Sequence, residues 1–215
     1  MLTVWGRRSS FNVQKVMWLV DELGVERKHV PAGGDFGGLD TPEFIAMNPH
    51  GRVPVIRDGD VVVWESHAIL RYLAATYGQG RFWADSPAER SQADRWMDWS
   101  QASLQPDFLN GVFWGFYRTP EHLRDMHAVE GKIARCAAYM RLLDSVLADR
   151  PYLGGKDLTL ADIPAGTTLY RYFGLEIARP RVPNVEAWFD RLQTRVAYRE
   201  HVMVPFENLK GKLEY

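Results

Sequence analysis

Cysteine is almost missing from this chain: there is one among 215 residues, Cys136. One thiol cannot close an internal disulfide, and no C-x-x-C pair is present for dithiol redox chemistry. The N-terminus starts directly on the strand-like "MLTVW", with no basic stretch ahead of a long apolar run, so no secretory signal is expected. Together these absences point to a reducing, cytoplasmic setting. An excess of charge is lacking too, since 26 Lys plus Arg face 27 Asp plus Glu. Such balance excludes the strong basic field that draws nucleic acid or an anionic membrane surface. No apolar run approaches the roughly 20 residues of a membrane span. The six histidines show no paired ligand spacing, so no metal is expected. "AGGDFGG" is rich in glycine yet lacks the lysine and Ser/Thr of a nucleotide phosphate loop.

What is present is a globular composition, 46% hydrophobic and 25% charged, at a length suited to one large domain or two small ones. Before residue 80 the pattern alternates. "LTVW" reads as a buried strand, and Val13, Val16, Met17, Leu19, Val20 and Leu23 form a helical stripe that stops before Gly24. "ERKHVPA" offers a second strand, and a loop with a short helix follows. "RVPVIRDGDVVVWE" gives two strands about Asp58-Gly59, a hairpin signal, and a helix opens near Ser66. The order βαβ then ββα describes a small α/β domain over 1–80. "GQGRFWADSP" reads as a linker. The periodicity from about 87 to 205 is helical, so an all-α domain over 88–215 is expected. Within it "LTLADI" sets Thr159 three residues before Asp162, as in a capping box, with Leu158 and Ile163 spaced as a hydrophobic staple. "NVEAWFDRLQTRVAYREHV" reads as one helix.

Three places carry chemistry. In "GRRSSFNVQKVMW" Ser10 and Asn12 stand at the start of the first helix. Their ordinary use is N-capping; their sharper use is donation to an anion such as a thiolate, which a helix N-terminus also favours. No cysteine is near, so a thiolate there would arrive with a bound molecule. In "VWESHAIL" Ser66 either caps a helix or, with the helix amides, holds a carboxylate, and Glu65 suits an ammonium. The two together fit an amino-acid head group. In "RVPVI" Pro54 begins a strand where its missing N–H does no harm, and its peptide can be cis. Val53 ahead of it then offers backbone groups to an extended peptide.

Taken together, "S-x-N-V-x-K-V-x-W", "N-P-x-G-x-V-P" over 48–54 and "E-S-x-A-I" over 65–69 resemble the glutathione-binding domain of the cytosolic glutathione transferases, nearest the bacterial theta, beta and Nu-like groups. The resemblance covers nearly the whole chain. It implies a thioredoxin-like N-terminal domain, an all-helical C-terminal domain and a homodimer. It also implies that Ser10 and Asn12 face the glutathione sulfur and that Val53 pairs with the cysteinyl unit beside the cis-proline Pro54. Glu65 and Ser66 would hold the γ-glutamyl head, and Arg52 would reach the glycyl carboxylate. No early tyrosine and no cysteine stand where other classes place theirs. Thiolate attack on a small electrophile, in detoxification, is the implied reaction. The alternatives are glutathione-dependent disulfide or peroxide reduction, as in Nu-like members, and a non-catalytic glutathione-binding protein.

For the electrophile, "VFWGFYRTP" places Trp114, Tyr117 and Arg118 on one helical face. They read either as core packing with a surface arginine or as an aromatic wall with a charge to attract the substrate. Phe11 and Phe36 could add apolar surface. Cys136 shares a stripe with Met140, Leu143 and Leu147 and reads as a core thiol.

Overall fold

The computed structural model describes residues 1–213, so Glu214 and Tyr215, the last of the expected helical domain, lie outside the described residues. The chain divides into two compact units. The first comprises Met1–Asp85 with Val196–Val204, and the second Ser86–Arg195 with the stretch from Pro205 to Leu213.

The first unit is built on a four-stranded sheet in the order β2-β1-β3-β4, with β1 Leu2–Trp5, β2 Arg27–Val30, β3 Val55–Asp58 and β4 Val61–Trp64. β1 and β2 are parallel, and α1 (Phe11–Glu22) supplies the crossover that parallel strands need. β3 runs antiparallel to β1, with Trp5 opposite Val55, and β4 antiparallel to β3. The hairpin closes through Gly59 and Asp60, where Gly59 takes φ +59° without the Cβ clash other residues suffer. Ala32, Phe44 and Val55 form a buried cluster with Trp5, Met47 and Trp64 around it. α2 (Pro42–Met47) starts with proline and is capped by Thr41, whose hydroxyl accepts from Phe44 N–H at 3.3 Å. α3 (Ser66–Tyr77) follows β4 directly. The thioredoxin-like α/β arrangement expected of this part is present.

One helix of this unit comes from far along the chain. The stretch read as a single helix over 184–202 is two, α7 (Pro183–Gln193) and α8 (Val196–His201). Thr194 ends α7: its hydroxyl donates to Arg191 O at 2.7 Å, and Arg195 N–H bonds three residues back to Leu192 O at 3.0 Å. α8 then packs on α1, with Tyr198 edge-on to Trp18 at 4.8 Å between ring centroids.

The second unit is helical, with no named strand among the described residues. α4 (Pro87–Trp99) continues into wider π-type turns over Ser100–Leu104 and Pro106–Arg118, where Pro106 has no N–H to give to the ladder. α5 runs Met126–Val146 and is capped by Asp125, whose carboxylate accepts from Ala128 N–H at 3.0 Å. α6 spans Asp162–Gly174 and is almost wholly buried. No helix among the described residues is long and apolar enough to cross a membrane.

Candidate functional site

The turn from β1 into α1 is shaped by Gly6. A Cβ there would stand 2.4 Å from Val13 Cγ2 and 3.2 Å from Val53 Cβ, so only glycine lets the turn close against the segment before β3. Ser10 occupies the N-cap position in extended conformation, and its carbonyl accepts from Gln14 N–H at 2.9 Å. Its hydroxyl makes no capping bond. Asn12 lies inside the first turn and cannot cap. The side-chain capping expected of this pair is therefore not what the structure shows, and the Ser10 hydroxyl is not spent on the helix.

Asn12 is instead tied inward. Its Oδ1 accepts from Lys15 Nζ at 3.0 Å, and Ser66 Oγ stands 3.5 Å from the same oxygen. Asn12 and Ser66, far apart in sequence, are thus brought together. Lys15 is fully buried on α1, 3.2 Å from His67 Nε2 and 4.9 Å above the Phe11 ring. Burial pushes the Lys15 ammonium down to about 7, against the opposing pull of the Glu65 carboxylate. Burial, then Lys15 and Arg71, hold His67 neutral by pushing it down to about 2. Sequence reasoning assigned neither Lys15 nor His67. The available signal was the three-residue spacing of Asn12 and Lys15, which puts them on one helix face, and a lysine set among apolar residues.

The strand side is equally defined. The Val53–Pro54 peptide is cis. Val53 stands just outside the β1–β3 ladder, whose last pair is Trp5 with Val55. Asn48, itself buried, braces the approach: its Nδ2 donates to Arg52 O at 2.8 Å and its Oδ1 accepts from His50 N–H at 3.0 Å. Arg52 is exposed. At the other edge Glu65 is exposed and has φ +68°, the one non-glycine residue with positive φ among the described residues. Strained backbone of this kind persists at ligand clamps, where the surroundings force it. Its carbonyl accepts from Ile69 N–H at 2.9 Å, so the side chain is not needed to start α3.

In the helical unit Tyr117 stacks on Phe113 at 5.4 Å and meets Phe206 edge-on at 5.2 Å. With Phe116, Tyr170, Phe206 and Arg124 it lines a cavity of about 370 Å³. Burial and then Glu207 push the Tyr117 phenol up, so it stays protonated. Arg118 differs from a surface charge: it is fully buried, donates from Nε to Lys212 O at 2.7 Å and lies 3.9 Å over the Trp114 ring. That placement is the packing of a helix end. Phe11 is buried in the first unit and Phe36 is 62% exposed. Cys136 is buried, its thiol pushed up to about 12 by burial and then by Asp107. No group of three His, Cys, Asp or Glu side chains among the described residues is placed to hold a metal ion.

Comparison with known proteins bears on this geometry. Residues 1–75 match the family described as "Glutathione S-transferase, N-terminal domain", and residues 126–191 the one described as "Glutathione S-transferase, C-terminal domain". The chain is 40% identical to glutathione S-transferase GstB of Escherichia coli (strain K12), over 95% of this chain and 99% of that one. It is 30% identical to glutathione S-transferase 3 of Zea mays over 94% of its length and 93% of the relative's. Among solved structures it resembles the theta class glutathione S-transferase of Xanthomonas axonopodis pv. citri with glutathione bound. The TM-score is 0.89 and the identity 43%, over 95% of this chain and 98% of that one.

Proposed function

We propose a mechanism from one premise: the chain belongs to the glutathione S-transferase family. It is a glutathione transferase, and its work is to make the glutathione thiol react. A free thiol with a pKa of about 8.5 is only a few per cent thiolate at neutral pH, and the thiolate is the nucleophile. Lowering that pKa by about two units takes roughly 2.7 kcal/mol. Ser10 O–H and the Asn12 amide donate to the sulfur at the N-terminus of α1, and both donors favour the anion over the thiol. The observation that carries this reading is the Ser10 hydroxyl, which stands at the N-cap and makes no capping bond.

The remaining polar groups hold the tripeptide. Glu65 takes the γ-glutamyl ammonium, and Ser66 with the first amides of α3 takes its carboxylate. Val53 pairs through its backbone with the cysteinyl unit, beside Pro54, and Arg52 takes the glycyl carboxylate. The aromatic cavity lined by Tyr117 in the helical unit receives the apolar part of a small electrophile. The same reading makes the protein a cytoplasmic homodimer that acts in detoxification. Turnover of glutathione with an aryl halide tests it. Turnover confined to hydroxyethyl disulfide or a hydroperoxide would instead make the protein a reductase, and glutathione binding without either would make it a binding protein.

A further inference from the structure

Among the described residues Lys15 is the one fully buried lysine, and it sits beside the proposed thiol site. On α1 it faces Asn12 and the Phe11 ring; from α3 it faces His67, with Arg71 close enough to act on that same imidazole. Glu65, at the junction of β4 and α3, adds its negative charge. Asn12 carries two different ends, a carbonyl oxygen that only accepts and an NH2 that only donates. An ammonium can only donate, so it takes the oxygen. We propose that Lys15 is a positioning residue: by donating to Asn12 Oδ1 it turns the Asn12 NH2 away from itself, outward to the bound sulfur.

The geometry supports this beyond the single distance. Asn12 is only partly buried, and its Nδ2 has no hydrogen-bond partner among the described residues, while Oδ1 has Lys15 and the more distant Ser66 hydroxyl. Without the Lys15 donor the amide loses what distinguishes its ends, since a hydroxyl can donate to one or accept from the other. A flipped Asn12 would aim a lone pair at a thiolate and repel it. His67 completes the arrangement from the far side, 3.2 Å from Nζ, and keeps the lysine from turning elsewhere. The inference rests on the reading that Asn12 donates to the sulfur, and it names what makes that donation directional.

The test is the ultraviolet titration of glutathione bound to Lys15→Met, a variant with a side chain of similar length and no donor. The bound thiol should titrate about one unit higher than in the parent, roughly a tenfold loss of thiolate at a fixed pH well below both values. Affinity for S-methylglutathione, which has no thiol, should stay within about twofold in the same variant, because the peptide ends are held elsewhere. Combined with Asn12→Ala, Lys15→Met should shift the titration no further than Asn12→Ala alone, since both act through one amide. A parent-like titration in Lys15→Met, or fully additive shifts, overturns the inference while leaving Asn12 as a donor. A parent-like titration in Asn12→Ala overturns that reading and this inference with it. Should Lys15→Met not fold, the parent protein gives the answer by NMR of the Lys15 ammonium. By reciprocity the ammonium persists to higher pH with glutathione bound than with S-methylglutathione. Coincident titrations overturn the inference.

Discussion

Asp162, at the start of α6, accepts from the backbone N–H of Leu153, nine residues earlier, at 2.7 Å. Its second oxygen accepts from Thr159 N–H at 3.0 Å, and Leu158 and Ile163 are buried beside it. This is half of a capping box and its staple, with aspartate doing what glutamate or glutamine usually does. The carboxylate therefore ties a loop, a helix start and the core of the second unit together. Asp162→Ala takes the acceptor from the backbone donors of Leu153 and Thr159 and should cost about 2–4 kcal/mol, whereas Asp162→Asn keeps an acceptor and should cost less. Chemical denaturation of both variants checks this. Burial, only partly offset by the backbone donors, pushes the carboxyl up to about 6. Between its ordinary value and that value the folded state holds the extra proton, so this group's contribution weakens as pH rises through the window.

The elements from β1 to α3 are legible because period and punctuation agree. The stripe from Val13 to Val20 is buried throughout, and Asp58-Gly59 does mark the hairpin. What escapes reading depends on contacts distant in sequence. Lys15 gains a role only when His67 and Glu65, some fifty residues on, are placed around it. α8 reads as an extension of α7 because nothing in "RLQTRVAYREHV" announces that Tyr198 belongs against Trp18. Side-chain orientation is no easier. Ser10 has the residue type and position of a cap, yet its rotamer makes no capping bond. Arg118 has the type of a surface cation and lies buried over Trp114.

His67 gives a pH test. Its folded pKa lies far below the unfolded value, chiefly by burial, so the unfolded chain binds the extra proton as pH falls below about 6.5. Stability should therefore fall with acidification, by about 2 kcal/mol from this group between pH 6.5 and 5. His67→Gln keeps an acceptor for Lys15 and has no such titration. Urea unfolding at pH 7 and pH 5 should show a smaller loss in the variant than in the parent. Equal losses would mean that the imidazole is not held neutral.

Glutathione affinity should depend on Glu65. Glu65 is held at φ +68°, and α3 does not use its carboxylate for capping. Removing it in Glu65→Ala should weaken glutathione binding by about 1.5–3 kcal/mol, the range for hydrogen bonds to charged groups. Calorimetry on the folded variant measures it, and unchanged affinity would remove Glu65 from the site.

Cys136 should be dispensable for the chemistry. Its thiol is buried and pushed up to about 12, so almost none of it ionises near neutral pH. Cys136→Ala should keep conjugating turnover and lose at most about 1–2 kcal/mol of stability through the small cavity left behind. Loss of nearly all turnover in a well-folded Cys136→Ala would bring a protein thiol into the mechanism.

Ser10 and Asn12 should share the activation of sulfur, and the two can be told apart. Ser10 offers a hydroxyl that can rotate, whereas Asn12 offers an amide fixed from behind by Lys15. Losing one donor should leave the other effective, so each single alanine variant should raise the bound-thiol pKa less than the double variant does. The shift converts at about 1.4 kcal/mol per unit, and two charge-assisted bonds of about 1.5–3 kcal/mol each can supply a depression of two units or more. Because Ser10 makes no capping bond, Ser10→Ala should cost the helix well under the ~1 kcal/mol of a lost cap, which separates a catalytic effect from an unfolding one. Binding of S-methylglutathione should change little in all three variants. The measurement is the ultraviolet thiolate titration of bound glutathione, paired with thermal unfolding of the same samples. Parent-like titrations in all three, with the fold intact, would leave the start of α1 with no part in the chemistry and send the search for the thiol's donor elsewhere.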